Sequence, residues 1–264
     1  MEISEQKMDY WDGVAAAWVK EGRQRLWRAY SDRLHGEFFG RWMPRAAERA
    51  LKTDLFDEAT SAGLVPLLAC RAREVAGVDV SAAVVEAAKA RYPALDAVVG
   101  DVRKLPFGDA SFDLVISNST LDHFHGAEDI LTSLRELSRV LRPGGQMIVT
   151  MDNRANPAVA LRNALPFGFL NRLGVLPYYV GATFGPGGLR RALEKTGFEV
   201  ADMNAVMHCP RALAVAAAHF LEKSASKGAR ERFLKGLMAF ERLSRWPTRF
   251  LTGYFIAAKA VKPR

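Results

Sequence analysis

Residues 51–81 read LKTDLFDEATSAGLVPLLACRAREVAGVDVS, and the rest of the chain is organised around them. An apolar strand-like run opens at Leu51. Small residues at Ala59, Ser61, Ala62 and Gly63 predict a turn, Leu64 to Cys70 a short apolar helix, and Glu74 to Val80 a second strand with Asp79 at its carboxyl end. A strand, turn, helix, strand unit of this kind brings backbone close to a ligand at the small residues and offers free amide donors at the helix start. An acid at the next strand tip can accept both hydroxyls of a ribose, as in doubly wound nucleotide sites. Where a G-x-G-x-G pattern would complete the signature, the chain has Ala59-Thr60-Ser61-Ala62-Gly63, so only the last glycine is kept.

The downstream order fits an alternating α/β domain. Ser81 is placed to cap an alanine-rich helix over 82–91, which Pro93 stops. A short strand over 97–99 leads to Gly100-Asp101-Val102. FDLVIS at 112–117 is the continuous apolar run of a strand buried on both faces. Asn118, Ser119 and His123 follow at its carboxyl end, where open α/β sheets bind ligands. A helix over about 128–141 ends at Pro143-Gly144-Gly145, and the next strand is expected over 146–151.

The alternation then breaks. Residues 154–187 are apolar and aromatic but interrupted by Pro and Gly, and a second helical block covers 211–245. Between them lie a helix from Gly188 and a strand over 199–206, and 252–259 reads as the closing strand. Ahead of the unit, residues 8–34 carry two helical apolar stripes separated at Gly22. Met8, Trp11, Ala15 and Trp18 form one, and Leu26, Trp27, Tyr30 and Leu34 the other. Tyr10 and Trp11 are candidates for a lid.

The 264 residues are 49% hydrophobic and 25% charged, enough for a substantial core in one domain. No basic, apolar leader opens the chain, and no apolar run reaches the ~18 residues that cross a bilayer. Cys70 and Cys209 lack a metal-type spacing, which predicts two unpaired thiols in a cytoplasmic setting and no metal. The net charge of +8 is uneven: residues 51–153 hold 10 basic and 15 acidic side chains, residues 154–250 hold 15 and 6. The basic half suits an anionic substrate or a peripheral contact with an anionic membrane surface. No appended RNA-binding module accompanies it, which speaks against nucleic acid.

GVDVS at 77–81, GDVRKLPF at 100–107, FDLVISNSTLDHF at 112–124 and LRPGGQMIV at 141–149, in that order, resemble the class I S-adenosylmethionine-dependent methyltransferase family. The likeness is strongest to its small-molecule branch, which includes quinone C-methyltransferases. It covers about residues 50–153 well, 188–206 and the last strand loosely, and the helical insertions hardly at all. It implies a doubly wound, Rossmann-like, mostly parallel seven-stranded sheet, with residues 1–50 as an N-terminal helical extension. Residues 51–264 would be the methyltransferase domain, capped by helical insertions at about 154–187 and 207–250.

The resemblance also implies roles. Asp57 takes the acidic position of the first motif, and Ala59, Ser61 and Gly63 its three glycine positions. Asp79 holds the ribose, Val80 flanks the adenine, and Asp101 accepts from the adenine amino group beside Val102. Ser117, Asn118 and Ser119 line the methionine portion, and His123 is the candidate base. A Cβ at a turn position needing positive φ costs about 1–2 kcal/mol, so the eroded turn weakens the site. The implied reaction is in-line methyl transfer from S-adenosylmethionine to an O, N or C of a small hydrophobic acceptor, with alignment and a dry pocket as the protein's share. Two alternatives use the same residues: a scaffold that keeps the fold without the cofactor, or a cofactor-using enzyme with other chemistry.

Overall fold

The computed structural model describes residues 10–14, 24–172, 176 and 178–264. Met8, Ala15 and Trp18 of the first predicted stripe, and the predicted break at Gly22, lie outside them. Seven strands form one sheet in the order β3-β2-β1-β4-β5-β7-β6. They are β1 (Ala47–Thr53), β2 (Ala72–Asp79), β3 (Asp96–Val99), β4 (Phe112–Asn118), β5 (Leu141–Asp152), β6 (Glu199–Val206) and β7 (Phe255–Val261). β7 runs antiparallel between β5 and β6, and the other neighbours are parallel. The strand order reverses between β1 and β4, where a crevice opens at the carboxyl ends.

One face of the sheet is covered by α1 (Arg25–Trp42), α4 (Ala82–Arg91), α9 (Arg211–Ser224) and α10 (Lys227–Ala239); α2 (Phe56–Thr60) and α3 (Val65–Ala69) lie between β1 and β2. The stripe Leu26, Trp27, Tyr30 and Leu34 is buried there, joined by Phe38 and Phe39, so the N-terminal helix is a core layer. The opposite face is covered by α5 (Ala127–Val140) and α8 (Pro186–Lys195), through Ile130, Leu134 and Leu137 of the first and Leu189 and Leu193 of the second. α6 (Pro157–Ala164) and α7 (Phe167–Arg172) form the first insertion, and α11 (Arg249–Thr252) precedes β7. All but one residue of β4 is buried, as its continuous apolar run requires. The Ser81 hydroxyl accepts from the Val84 amide and caps α4 as predicted.

Several expected boundaries move. β1 begins at Ala47, ahead of the expected domain start at 51, and β5 runs through Pro143-Gly144-Gly145 instead of starting after it. Residues 211–239 pack with α1 on the sheet face, so this block is a layer of the core as well as a wall of the cavity.

The larger correction concerns the first turn. β1 ends at Thr53, so the chain leaves the strand at Asp54-Leu55, five residues before the small-residue stretch, and Ala59 is already inside α2. Asp54 adopts φ 65°, and its carboxylate accepts from the Phe56 amide at 2.9 Å. A short polar side chain that bonds locally tolerates this left-handed position, so no glycine is needed there. Gly63 has φ 60°, but its role is packing: a Cβ would fall 2.4 Å from Glu58 Oε1.

Candidate active site

A cavity of about 1090 Å³ lies over the carboxyl ends of the parallel strands. Of the residues singled out in the sequence, Asp57, Ser61, Asp79, Val80, Asp101, Val102, Asn118, Ser119 and His123 line it. Ala59, Gly63 and Ser117 do not. Ala59 is buried in the core, and Ser117 is fully buried with its hydroxyl accepting from Thr53 at 3.1 Å. Nor is the amide cradle where the small residues suggested it. The Ala62 and Gly63 amides are taken by Asp32 of α1, and the Leu64 amide by Glu58. Asp57 sits in α2 facing Arg28 at 3.8 Å.

At the tip of β2, Asp79 is held by backbone. One carboxylate oxygen accepts the Leu55 amide at 2.7 Å and the other the Ser81 amide at 2.9 Å. A carboxylate has about four acceptor positions, so one on each oxygen is left for a ligand. Burial raises its pKa, against the two amide bonds and Lys52, which favour the charged form.

Asp101 also faces the cavity but is engaged by Arg103. The Arg103 backbone amide donates at 2.8 Å, Nε at 3.1 and 3.0 Å, and the terminal nitrogen at 2.5 Å. Arg103 continues to Asp129 at 3.0 Å. A base amino group reaches Asp101 only if Arg103 yields a contact.

Beneath the turn lies an element that the sequence reading missed. Lys52, within β1, is fully buried and pairs with Glu58 of α2 at 2.7 Å, and its ammonium also donates to the Asp54 carbonyl. Burial lowers the Lys52 pKa, but Glu58, Asp54 and Asp57 outweigh that and leave it raised. The pair ties the turn to the helix behind it.

Asp54 carries the opposite burden. Burial first, and then the neighbouring Asp79, push its pKa well above the usual carboxylate range, against Lys52 and the Phe56 amide. A carboxyl whose folded pKa is raised stabilises the fold while protonated, below its unfolded pKa, and that contribution is lost as pH rises through the folded value. Asp54→Asn keeps the turn and the acceptor but removes the charge. Urea denaturation is expected to show the variant more stable by about 1 kcal/mol at neutral pH, with the difference vanishing below about pH 4.

In the middle of the cavity, Thr53, Asn118, Ser119 and Thr120 form a polar floor. Thr53 and Thr120 share a 2.7 Å bond, and the Ser119 hydroxyl donates to Asp122 at 3.0 Å. His123 Nδ1 lies 3.0 Å from the Tyr179 carbonyl. A carbonyl only accepts, so Nδ1 carries the proton and Nε2 of the neutral ring is left as an acceptor. Trp11 packs edge-on against this ring at 4.9 Å, the Tyr10 hydroxyl accepts from the Tyr179 amide at 2.7 Å, and Asp12 accepts from the Ser81 hydroxyl. The segment 10–14 therefore bridges the Asp79 side and the His123 side, as the lid expectation for Tyr10 and Trp11 requires.

Beyond His123 the cavity continues past Tyr178 to Arg162, Arg211, His208 and Tyr254. Burial lowers the pKa of His208, and burial also lowers that of His35, which lines the same end. Arg162 is spent on its neighbours: it bonds Asp152 at 2.6 Å, the Tyr254 hydroxyl at 2.8 Å and Asn163. None of these arginines was singled out by motif, since they fall in segments that follow no repeated pattern.

The sheet order, the switch point and a cavity at the strand tips define a Rossmann-like fold of the methyltransferase type. Comparisons with known proteins agree. Residues 59–149 match the family described as "Methyltransferase domain". A Mycolicibacterium smegmatis protein, named a probable S-adenosylmethionine-dependent methyltransferase, is 31% identical over 165 residues, covering 62% of this chain and 59% of the relative. Demethylmenaquinone methyltransferase of Beutenbergia cavernae is 36% identical over 129 residues, 48% of each chain. The chain thus spans about half the length of the curated relatives it matches. Among solved structures, a chain of the "Complex between the Haloferax volcanii Trm112 methyltransferase activator and the putative methyltransferase" superposes with a TM-score of 0.61 at 20% identity, covering 95% of this chain and 98% of that one. The resemblance to class I S-adenosylmethionine-dependent methyltransferases read from the sequence is borne out.

Proposed function

We propose that the protein binds S-adenosylmethionine across the tips of β1, β2 and β4 and transfers its methyl group to a small hydrophobic acceptor. The observation that carries this reading is Asp79: a buried carboxylate fixed by two backbone amides, with an acceptor position left on each oxygen facing the cavity. Two adjacent ribose hydroxyls match that pair. Val80 and Val102 supply apolar edges for the base, and about 1090 Å³ exceeds what one drug-sized ligand fills. The residues present fit the cofactor at the ribose and the base edge.

When bound, S-adenosylmethionine supplies an already activated methyl group. The chain's own part is alignment, exclusion of water and, for an acceptor that must lose a proton, a base. His123 Nε2 is the group available for the last task, with Asp122 Oδ1 4.0 Å away. Trp11 and the 10–14 segment close over it.

The acceptor side is lined by Trp27, Leu176, Met207, Val215 and Phe255, which supports a lipid-like or otherwise apolar substrate, and the named activity of the Beutenbergia relative is in keeping with that. Exposed Leu161, Phe169, Leu213 and Phe220 on the helices that follow β5 and β6 support a peripheral contact with an anionic membrane. Among the described residues no helix is long and apolar enough to cross one.

Titration calorimetry with S-adenosylmethionine tests the reading. Saturable binding at micromolar concentration is expected. No heat at millimolar cofactor would instead select the scaffold alternative, which the charged turn at Asp54 to Glu58 would also suit.

A further inference from the structure

The acceptor end of the cavity holds a cation supported by aromatic side chains and not by a carboxylate. Arg211 is the first residue of α9. Its guanidinium lies 4.5 Å from the centre of the Tyr254 ring and 5.8 Å from that of Phe255, and it faces the cavity. Among the described residues, no carboxylate oxygen comes within ion-pair distance of it. The two nearby acids are committed elsewhere. Asp152 is bonded to Arg162 at 2.6 Å, while Asp122 accepts the Ser119 hydroxyl at 3.0 Å and the Asp152 amide at 2.8 Å.

The position of Arg211 is also unfavourable for α9 itself. The first turn of a helix is its positive end, where anions are favoured and cations disfavoured. α9 has no acid in its first turn and no side-chain cap, and Pro210 precedes it. A cation set against the helix dipole with no carboxylate to balance it breaks a local rule, and such breaks are expected at functional positions. The surroundings specify the ligand further. Trp27, Leu176, Met207, Val215 and Phe255 line the same end with apolar surface. The guanidinium lies over the Tyr254 ring and bonds the Tyr178 side chain, and its five N–H donors leave others for a ligand in that space. A guanidinium fork matches a carboxylate with two parallel hydrogen bonds.

We infer that Arg211 anchors a carboxylate carried by the hydrophobic acceptor. Its role as an acceptor anchor rests on the methyltransferase reading above. The anchor lies near the tips of β5 and β7, and Asp79 at the tip of β2. Four strand spacings separate β2 from β7, about 19 Å at roughly 4.8 Å each. The cofactor and the carboxylate thus occupy opposite ends of one cavity, and the apolar body of the acceptor spans the space between them.

The probes are decanoate and cinnamate against their neutral amides, titrated into the full chain with and without S-adenosylhomocysteine. The wild type is expected to bind each acid at least about tenfold tighter than its amide, as a charge-assisted bidentate pair provides. Arg211→Met is expected to bring acid and amide to equal affinity. Arg211→Lys, which keeps the charge but not the fork, is expected to restore part of the preference, and it serves if the methionine variant does not fold. Equal binding of acid and amide by the wild type, or an undiminished preference in Arg211→Met, overturns the inference. S-adenosylhomocysteine binding without any acid preference removes the carboxylate anchor and leaves the methyltransferase reading standing. Acid preference without S-adenosylhomocysteine binding does the reverse.

Discussion

Lys52→Met is expected to cost about 3–5 kcal/mol of folding stability, because it strands the Glu58 carboxylate in the core without its counter-charge. Both side chains are essentially inaccessible and meet at 2.7 Å. Against the 5–15 kcal/mol that holds a typical domain together, such a loss is severe. Urea denaturation of the purified variant measures it. The second variant needed is Lys52→Met with Glu58→Gln. Glutamine keeps an oxygen for the Leu64 amide, which Glu58 accepts at 2.8 Å, but leaves no buried charge. Most of the lost stability should return in the double variant. A single variant within about 1 kcal/mol of wild type would show that the carboxylate simply takes up a proton there at little cost. Lys52 also holds the Asp54 carbonyl, so the single variant should loosen the turn and weaken ligand binding as well.

Asp79→Asn is expected to weaken S-adenosylmethionine binding by about 10–100-fold, the worth of charge-assisted hydrogen bonds to a ribose diol. Calorimetry reads the loss directly. The amide also cannot serve both backbone donors: with Leu55 on one oxygen and Ser81 on the other, one donor must face an NH₂ group. A drop in thermal stability of the ligand-free protein should therefore accompany the loss of affinity. Unchanged affinity in a folded variant would mean that the ribose lies elsewhere.

How much of this was legible in the sequence depended on whether a residue obeyed a local pattern. The FDLVIS run predicts β4 because a strand covered on both faces is mostly apolar, and its one charged residue, Asp113, is the one that is not fully buried. The Ser81 cap, Asp79 at its strand tip and the 199–206 strand followed from similarly local rules. The small residues 59–63 point to the wrong place for the turn after β1. The chain instead turns at Asp54, an acid that reaches positive φ by bonding its own downstream amide, and the small residues 61–63 are bound by Asp32 from a helix nearly thirty residues earlier.

Lys52 lies at a buried position within β1, and only its pairing with Glu58 of the following helix makes it tolerable there. Asp101 read as a ligand group because sequence cannot show that Arg103, two residues on, folds back onto it. Arg211 did leave a signal, a cation opening a helix with no acid near it. That signal gained meaning only once the cavity was seen.

The claim on which all of this depends is that an adenosine sits over β2 with its ribose on Asp79. A crystal structure grown with S-adenosylhomocysteine decides it. The account predicts both ribose hydroxyls within hydrogen-bond distance of the Asp79 carboxylate and the sulfur over Asn118 and Ser119. An adenosine bound with Asp79 turned away from it, or no adenosine in this cavity at saturating concentration, would contradict it.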